Sequence, residues 1–103
     1  MARKEKLLAM LETDSEDPFL HYALGKEYLS CGERTEAIEK LRDVLVRFPN
    51  YHAAHFQLGQ VLAEDDEFSQ AIEIVKAGII AAQQDGDSHA VSEMTGFLDT
   101  LGQ

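Results

Sequence analysis

The chain has 103 residues, 45% of them apolar, which is enough for one compact core and too few for a multidomain enzyme. Nine Lys and Arg against 19 Asp and Glu leave a formal charge of -10, which repels phosphate backbones and anionic lipid alike, so nucleic acid and membrane surfaces are not expected as partners. A single cysteine, Cys31, excludes an intrachain disulfide and a cysteine cluster for zinc, and points to a reducing, cytoplasmic setting.

From the N-terminus, Arg3, Lys4 and Lys6 precede the apolar run Leu7-Leu8-Ala9-Met10-Leu11, which ends at Glu12. Five apolar residues are too few for a signal-peptide core or a membrane span, so a soluble, unprocessed chain is expected, with a first helix over 3–13. A second helix is predicted over 18–30. A third follows over 34–47, where Ala37, Ile38, Leu41, Val44, Leu45 and Phe48 recur at i, i+1, i+4, i+7, i+8 and i+11 along one face. A fourth is placed at 51–64. The same apolar spacing returns in Ala71, Ile72, Val75, Gly78, Ile79 and Ala82, predicting a fifth helix over 68–83. It returns again in Ala90, Val91, Met94, Phe97, Leu98 and Leu101, predicting a sixth over 88–101. No stretch shows the sustained alternation of a strand. Between the runs, Cys31-Gly32, Phe48-Pro49-Asn50, Asp65-Asp66 and Asp85-Gly86-Asp87 supply turn residues or helix N-caps.

Charge is uneven along this series. Residues 1–51 hold eight bases and ten acids, whereas residues 52–103 hold nine acids and one base, Lys76. The acidic block Glu64-Asp65-Asp66-Glu67 reads first as a solvated turn, because a helix interior disfavours four adjacent like charges, and second as a patch for a basic partner.

Sliding the chain by 34 residues aligns 18–51 with 52–85. Seven of the 34 positions are then identical: His21/His55, Leu24/Leu58, Gly25/Gly59, Glu33/Glu67, Ala37/Ala71, Ile38/Ile72 and Glu39/Glu73. A fixed period of this length with two helices per unit is the mark of a solenoid, in which each helix pair buries its apolar face against its neighbours. With Leu24-Gly25, Tyr28, Gly32, Ala37, Leu41 and Pro49 in the first unit, and Leu58-Gly59, Leu62, Ala71 and Gly78 in the second, the sequence resembles small tetratricopeptide repeat proteins of bacterial type. The residues have physical reasons: Gly25, Gly59, Ala37 and Ala71 allow close helix approach, and Pro49 stops a helix. It departs from the family pattern at His21 and His55, where a large aromatic is usual, at Val44 in place of a small residue, and at Gln83 in place of the closing proline.

The resemblance implies an all-α fold, a right-handed α-solenoid of antiparallel helix pairs with two full repeats and flanking helices. The expected divisions of a single domain, 1–103, are an N-terminal helix in 3–17, repeats over 18–51 and 52–85, and a capping helix over 88–101. In strict register from His55 to His89 the last helix would turn its apolar residues outward. A two-residue insertion near Asp85-Gly86 puts Val91, Met94 and Leu98 on the core side instead.

At about 100° per residue, Leu20, Leu24, Tyr28 and Cys31 share one side of the second helix. Phe19, Tyr22, Ala23, Lys26, Leu29 and Ser30 share the other. The resemblance makes that second side a concave, partner-binding groove, continued by Ala53, Phe56, Gln57, Gln60, Ala63 and Glu64. The function implied is that of an adaptor or scaffold holding a short peptide or helix of another protein, apolar with basic flanks. The alternative is a self-assembly module, a homodimer that buries the groove or the end helices between copies. Lys26 is the only cation among these positions and asparagines are absent, so a clamp for a partner's C-terminal carboxylate is not expected.

Nothing in the sequence specifies catalysis, a cofactor or a metal. His21 and His55 share a repeat position and are read as packing residues; His52 and His55 have helical i, i+3 spacing but no third ligand signalled nearby, and His89 stands apart. HExxH, G-x-S-x-G and glycine-rich phosphate loops are missing. Cys31, with no base beside it in sequence, is read as a small buried hydrophobe.

Overall fold

A computed structural model describes residues 2–103. Among them, regular structure consists of six helices, α1 (Arg3–Thr13), α2 (Pro18–Ser30), α3 (Arg34–Arg47), α4 (His52–Glu64), α5 (Phe68–Gln84) and α6 (Ser88–Thr100). Every expected helix is present, with ends within one residue of those predicted. The chain divides into two compact units, one ending at Phe48 with α1–α3 and one spanning Pro49–Gln103 with α4–α6.

The turns inside the helix pairs are built alike. After α2, Gly32 adopts φ 76° and the Glu33 amide donates to the Tyr28 carbonyl at 2.8 Å. After α4, Asp66 adopts φ 62° and the Glu67 amide donates to the Leu62 carbonyl, also at 2.8 Å. Each residue is the 34-residue equivalent of the other, and each turn is a left-handed C-terminal cap that satisfies carbonyls the helix leaves open. Two helix starts are capped by acids. Asp17 accepts from the Phe19 amide with Pro18 as the first helical residue, and Asp87 accepts from the Ala90 amide.

Every turn between helices except the one at Pro49 carries at least one acidic residue. Asp14, Glu16, Asp17, Glu33, Asp65, Asp66, Glu67, Asp85 and Asp87 lie there, with no Lys or Arg among them. Nine of the ten excess negative charges are therefore held in these turns; Asp17, Glu33, Glu67 and Asp87 directly precede helix N-termini, where the helix dipole favours them, whereas Asp14, Asp65 and Asp85 follow helix C-termini.

In the first unit, Leu7 of α1 packs with Leu20, Ala23 and Leu24 of α2, with Leu11 and Tyr28 at the edge. Ala37, Leu41 and Val44 of α3 are fully buried. Gly25 lets α3 come close, since a Cβ there would stand 3.1 Å from Leu41 Cδ2. In the second unit, Val75 and Ala82 of α5 pack with Met94 and Leu98 of α6, flanked by Phe56, Ile72, Ile79, Ala90, Val91 and Phe97. The last helix thus faces the core with the residues the two-residue insertion requires. The insertion is visible in the helix starts, 34 residues apart for α2 and α4 but 36 for α4 and α6. Its cause lies in the missing proline: α3 stops at Arg47 before Pro49, whereas α5 meets Gln83 at the equivalent place and runs on to Gln84.

Cys31 is a correction. It caps the end of α2 and is exposed, its thiol lying 3.9 Å from Glu27 Oε1. The helical-wheel placement put it on the core side, but α2 ends at Ser30 and the chain has already left the helical path.

Candidate functional site

The outer face of α2 forms the better-defined surface of the first unit. Phe19, Tyr22, Ala23, Lys26 and Ser30 line a cleft of about 240 Å³ together with Arg3 of α1 and Glu27. Helical spacing brings Phe19, Tyr22, Lys26 and Ser30 to one side of α2, and α1 packs alongside to supply the far wall. Phe19 is 56% exposed, although an aromatic of this size has strong reason to be covered. Lys26 Nζ stands 5.5 Å from the centre of the Tyr22 ring, a cation–π contact, and Arg3 pairs with Glu27 at 3.4 Å. Ala23 is only 6% exposed and belongs to the cluster under Leu7, so it forms the floor of the cleft more than an anchor. Leu29 is half-buried outside the cleft.

α1 is held in place by a second ion pair. Lys4 Nζ donates to Glu33 Oε1 at 2.6 Å and lies 5.9 Å from the Tyr28 ring. This hydrogen bond raises the Lys4 pKa above its ordinary value.

In the second unit, Gln57, Gln60, Ala63 and Glu64 line a more open cleft of about 500 Å³ with Phe68, Phe97 and Leu101. Phe56 does not face it as a free anchor. Its ring meets Phe97 of α6 edge-on, with centroids 5.7 Å apart, and the two pack into the core cluster. Ala53 borders a third depression with Asn50, Tyr51, His52 and Asp85. Arg3, Glu27, Phe68, Phe97 and Leu101 were not among the expected site residues: Arg3, Phe68 and Phe97 come from α1, α5 and α6, Leu101 follows α6, and Glu27 of α2 was not placed on the groove side. Phe68 carried a signal, being an aromatic directly after an acidic turn and before the apolar run of α5.

The histidines resolve into distinct roles. His21 and His55 are both buried, 5% and 6% exposed. His21 Nε2 donates to the Ser15 carbonyl at 2.6 Å, and Arg47 Nη2 donates to the same oxygen at 3.0 Å, tying the α1–α2 turn to the end of α3. His21 Nδ1 is buried with no hydrogen-bond partner. His55 Nδ1 lies 3.3 Å from the Tyr51 carbonyl, and burial pushes the His55 pKa below 6.5, with neighbouring His52 acting in the same direction. His52 corrects the sequence reading, since folding brings it two carboxylates, Asp85 at 3.3 Å and Asp87 at 3.7 Å. His89 lies 3.3 Å from Glu93 on the surface of α6. Among the described residues no group of three or more His, Cys, Asp or Glu is arranged to hold a metal ion, and no helix is long and apolar enough to cross a membrane.

Comparison with known proteins agrees with this architecture. Residues 28–93 match the tetratricopeptide repeat family. A TPR repeat-containing protein of Pseudomonas aeruginosa is 32% identical over 97 residues, covering 94% of this chain and 92% of that protein. Among solved structures, a Bordetella parapertussis protein known from its solution structure superposes with a TM-score of 0.82 at 32% identity, over 99% of this chain and 89% of its own. The crystal structure of a tetratricopeptide repeat domain protein from Salinibacter ruber gives 0.78 at 28% identity, over 84% of this chain and 97% of its own. Repeat period, glycine-mediated helix contacts and these matches lead to one conclusion: the chain belongs to the tetratricopeptide repeat family of α-solenoid proteins, whose fold is generally a protein–protein interaction module.

Proposed function

We propose that this chain is a non-catalytic adaptor that holds a short segment of a partner protein against the outer face of α2. The observation that supports this most is the cleft around Phe19, Tyr22 and Lys26, where an exposed aromatic, a second ring and a cation surround one hollow. Aromatic side chains supply most of the binding energy in small interfaces, and Lys26 and Ser30 offer hydrogen bonds to a main chain. The partner segment is apolar. Basic flanks on that segment suit a chain of formal charge -10. Phe56 contributes through Phe97, not by direct contact. A reducing, cytoplasmic setting is part of this reading, since Cys31 is exposed and the sequence holds no second cysteine.

The test is site-directed photo-crosslinking in cells of origin, with the reactive group at Phe19 and, as a control, at exposed Val46. A discrete adduct from position 19, lost on Tyr22→Ala and absent from position 46, supports the reading. Equal labelling at both positions sinks it. If the adduct is a second copy of the chain, the same face is buried in a homodimer and the self-assembly alternative holds instead.

A further inference from the structure

The outward faces of α3 and α5 carry the same chemical order although packing does not demand it. In α3, Thr35, Glu39, Arg42 and Val46 fall at i, i+4, i+7 and i+11 and form one narrow stripe. The residues 34 positions later, Ser69, Glu73, Lys76 and Ile80, form the same stripe on α5, and all eight are exposed. Buried identities such as Ala37/Ala71 follow from shared packing, but solvent imposes no such constraint. The α2 and α4 faces show the difference: Lys26 becomes Gln60 and Ser30 becomes Glu64.

Helix stability explains an acid placed before a base. It does not explain an aliphatic residue 81% exposed at Val46 and 57% exposed at its equivalent, Ile80. Lys76 is also the only cation after residue 48, and among the described residues it makes no ion pair. A stripe ordered hydroxyl, acid, base, aliphatic is its own complement when approached from the opposite direction. The charge balance favours that approach for these two helices. Four bases against three acids make α3 slightly positive, and Glu73 and Lys76 cancel on α5, while the turns hold the negative excess.

We infer that α3 of one copy packs antiparallel on α5 of a second copy. Glu39 then lies opposite Lys76, Arg42 opposite Glu73, and Val46 and Ile80 each cover the small hydroxyl residue at the far end of the partner stripe. A contact between two single helices is small, so the association is weak and sensitive to salt. The surface is separate from the α2 cleft, and the inference does not depend on what that cleft binds.

Sedimentation equilibrium over a concentration series, at low and moderate salt, tests it. The wild type is expected to rise above the single-chain mass as concentration increases. Arg42→Glu with Lys76→Glu leaves only acids in both stripes and should weaken association at least about tenfold. Adding Glu39→Lys and Glu73→Lys to that variant restores complementarity in reversed order and should restore the mass. All four positions are exposed, so unchanged helix content by circular dichroism controls for folding. A single-chain mass for the wild type up to its solubility limit overturns the inference. So does association that survives Arg42→Glu with Lys76→Glu, or that Tyr22→Ala abolishes.

Discussion

Gly59 of α4 lies so close to Val75 of α5 that a Cβ on the glycine would stand 2.2 Å from Val75 Cγ2. The equivalent pair in the first unit, Gly25 and Leu41, leaves 3.1 Å to the end of a more flexible side chain. One repeat position thus carries two different tolerances. Gly59→Ala should destabilise the protein by roughly 1–3 kcal/mol through overpacking, despite the gain in helix propensity. Gly25→Ala should cost less, because Leu41 can shift by a few tenths of an ångström. Chemical denaturation of the two variants checks the order, and equal losses would remove the argument.

Asp66 occupies a left-handed backbone position that its counterpart Gly32 fills without strain. Asp66→Gly is expected to stabilise by up to about 1 kcal/mol, the relief of strain exceeding the added freedom of the unfolded chain. Gly32→Ala should destabilise by about 1 kcal/mol or more. Thermal melts of both variants decide the matter; a lower melting temperature for Asp66→Gly would contradict it.

His55 gives the fold a pH dependence with a definite sign. Its folded pKa lies below 6.5 because burial disfavours the imidazolium, so between the folded value and 6.5 the unfolded chain binds more protons. Its contribution to stability is complete above 6.5 and is lost as pH falls below that. His55→Gln, which cannot titrate, should therefore lose less melting temperature than wild type between pH 7.5 and pH 5.5. Carboxylate effects are common to both proteins and cancel in the comparison.

Met94 is fully buried where α6 closes the second unit, beside Val75 and Ala82 of α5. Met94→Ala should cost roughly 2–5 kcal/mol. Hydrogen exchange should show the loss first in α6, whose packing depends on few other large side chains. Uniform loosening of α4, α5 and α6 would instead make the unit one indivisible element.

Helix positions were legible because local signals agreed: apolar residues at helical spacing, broken by glycine, proline and acids. The register of α6 was legible for a related reason, since only one offset turned Met94 and Leu98 inward. The site was less so. A helical wheel shows which residues share a face of α2 but not that α1 brings Arg3 beside it, nor that Phe97 of α6 covers Phe56. His52 met Asp85 and Asp87 only through folding, across more than thirty residues of sequence. Cys31 misled because a periodic projection was carried one step past the helix end, where the backbone no longer follows it.

The acids between the helices set a rule for altering this molecule. The nine carboxylates in the turns, of which Asp17, Glu33, Glu67 and Asp87 directly precede the starts of α2, α3, α5 and α6, hold nearly all the net charge that keeps separate molecules apart in solution. Re-engineering of surface charge belongs on the helix bodies, at exposed mid-helix positions such as Ala77 and Thr95, where no helix start depends on the sign.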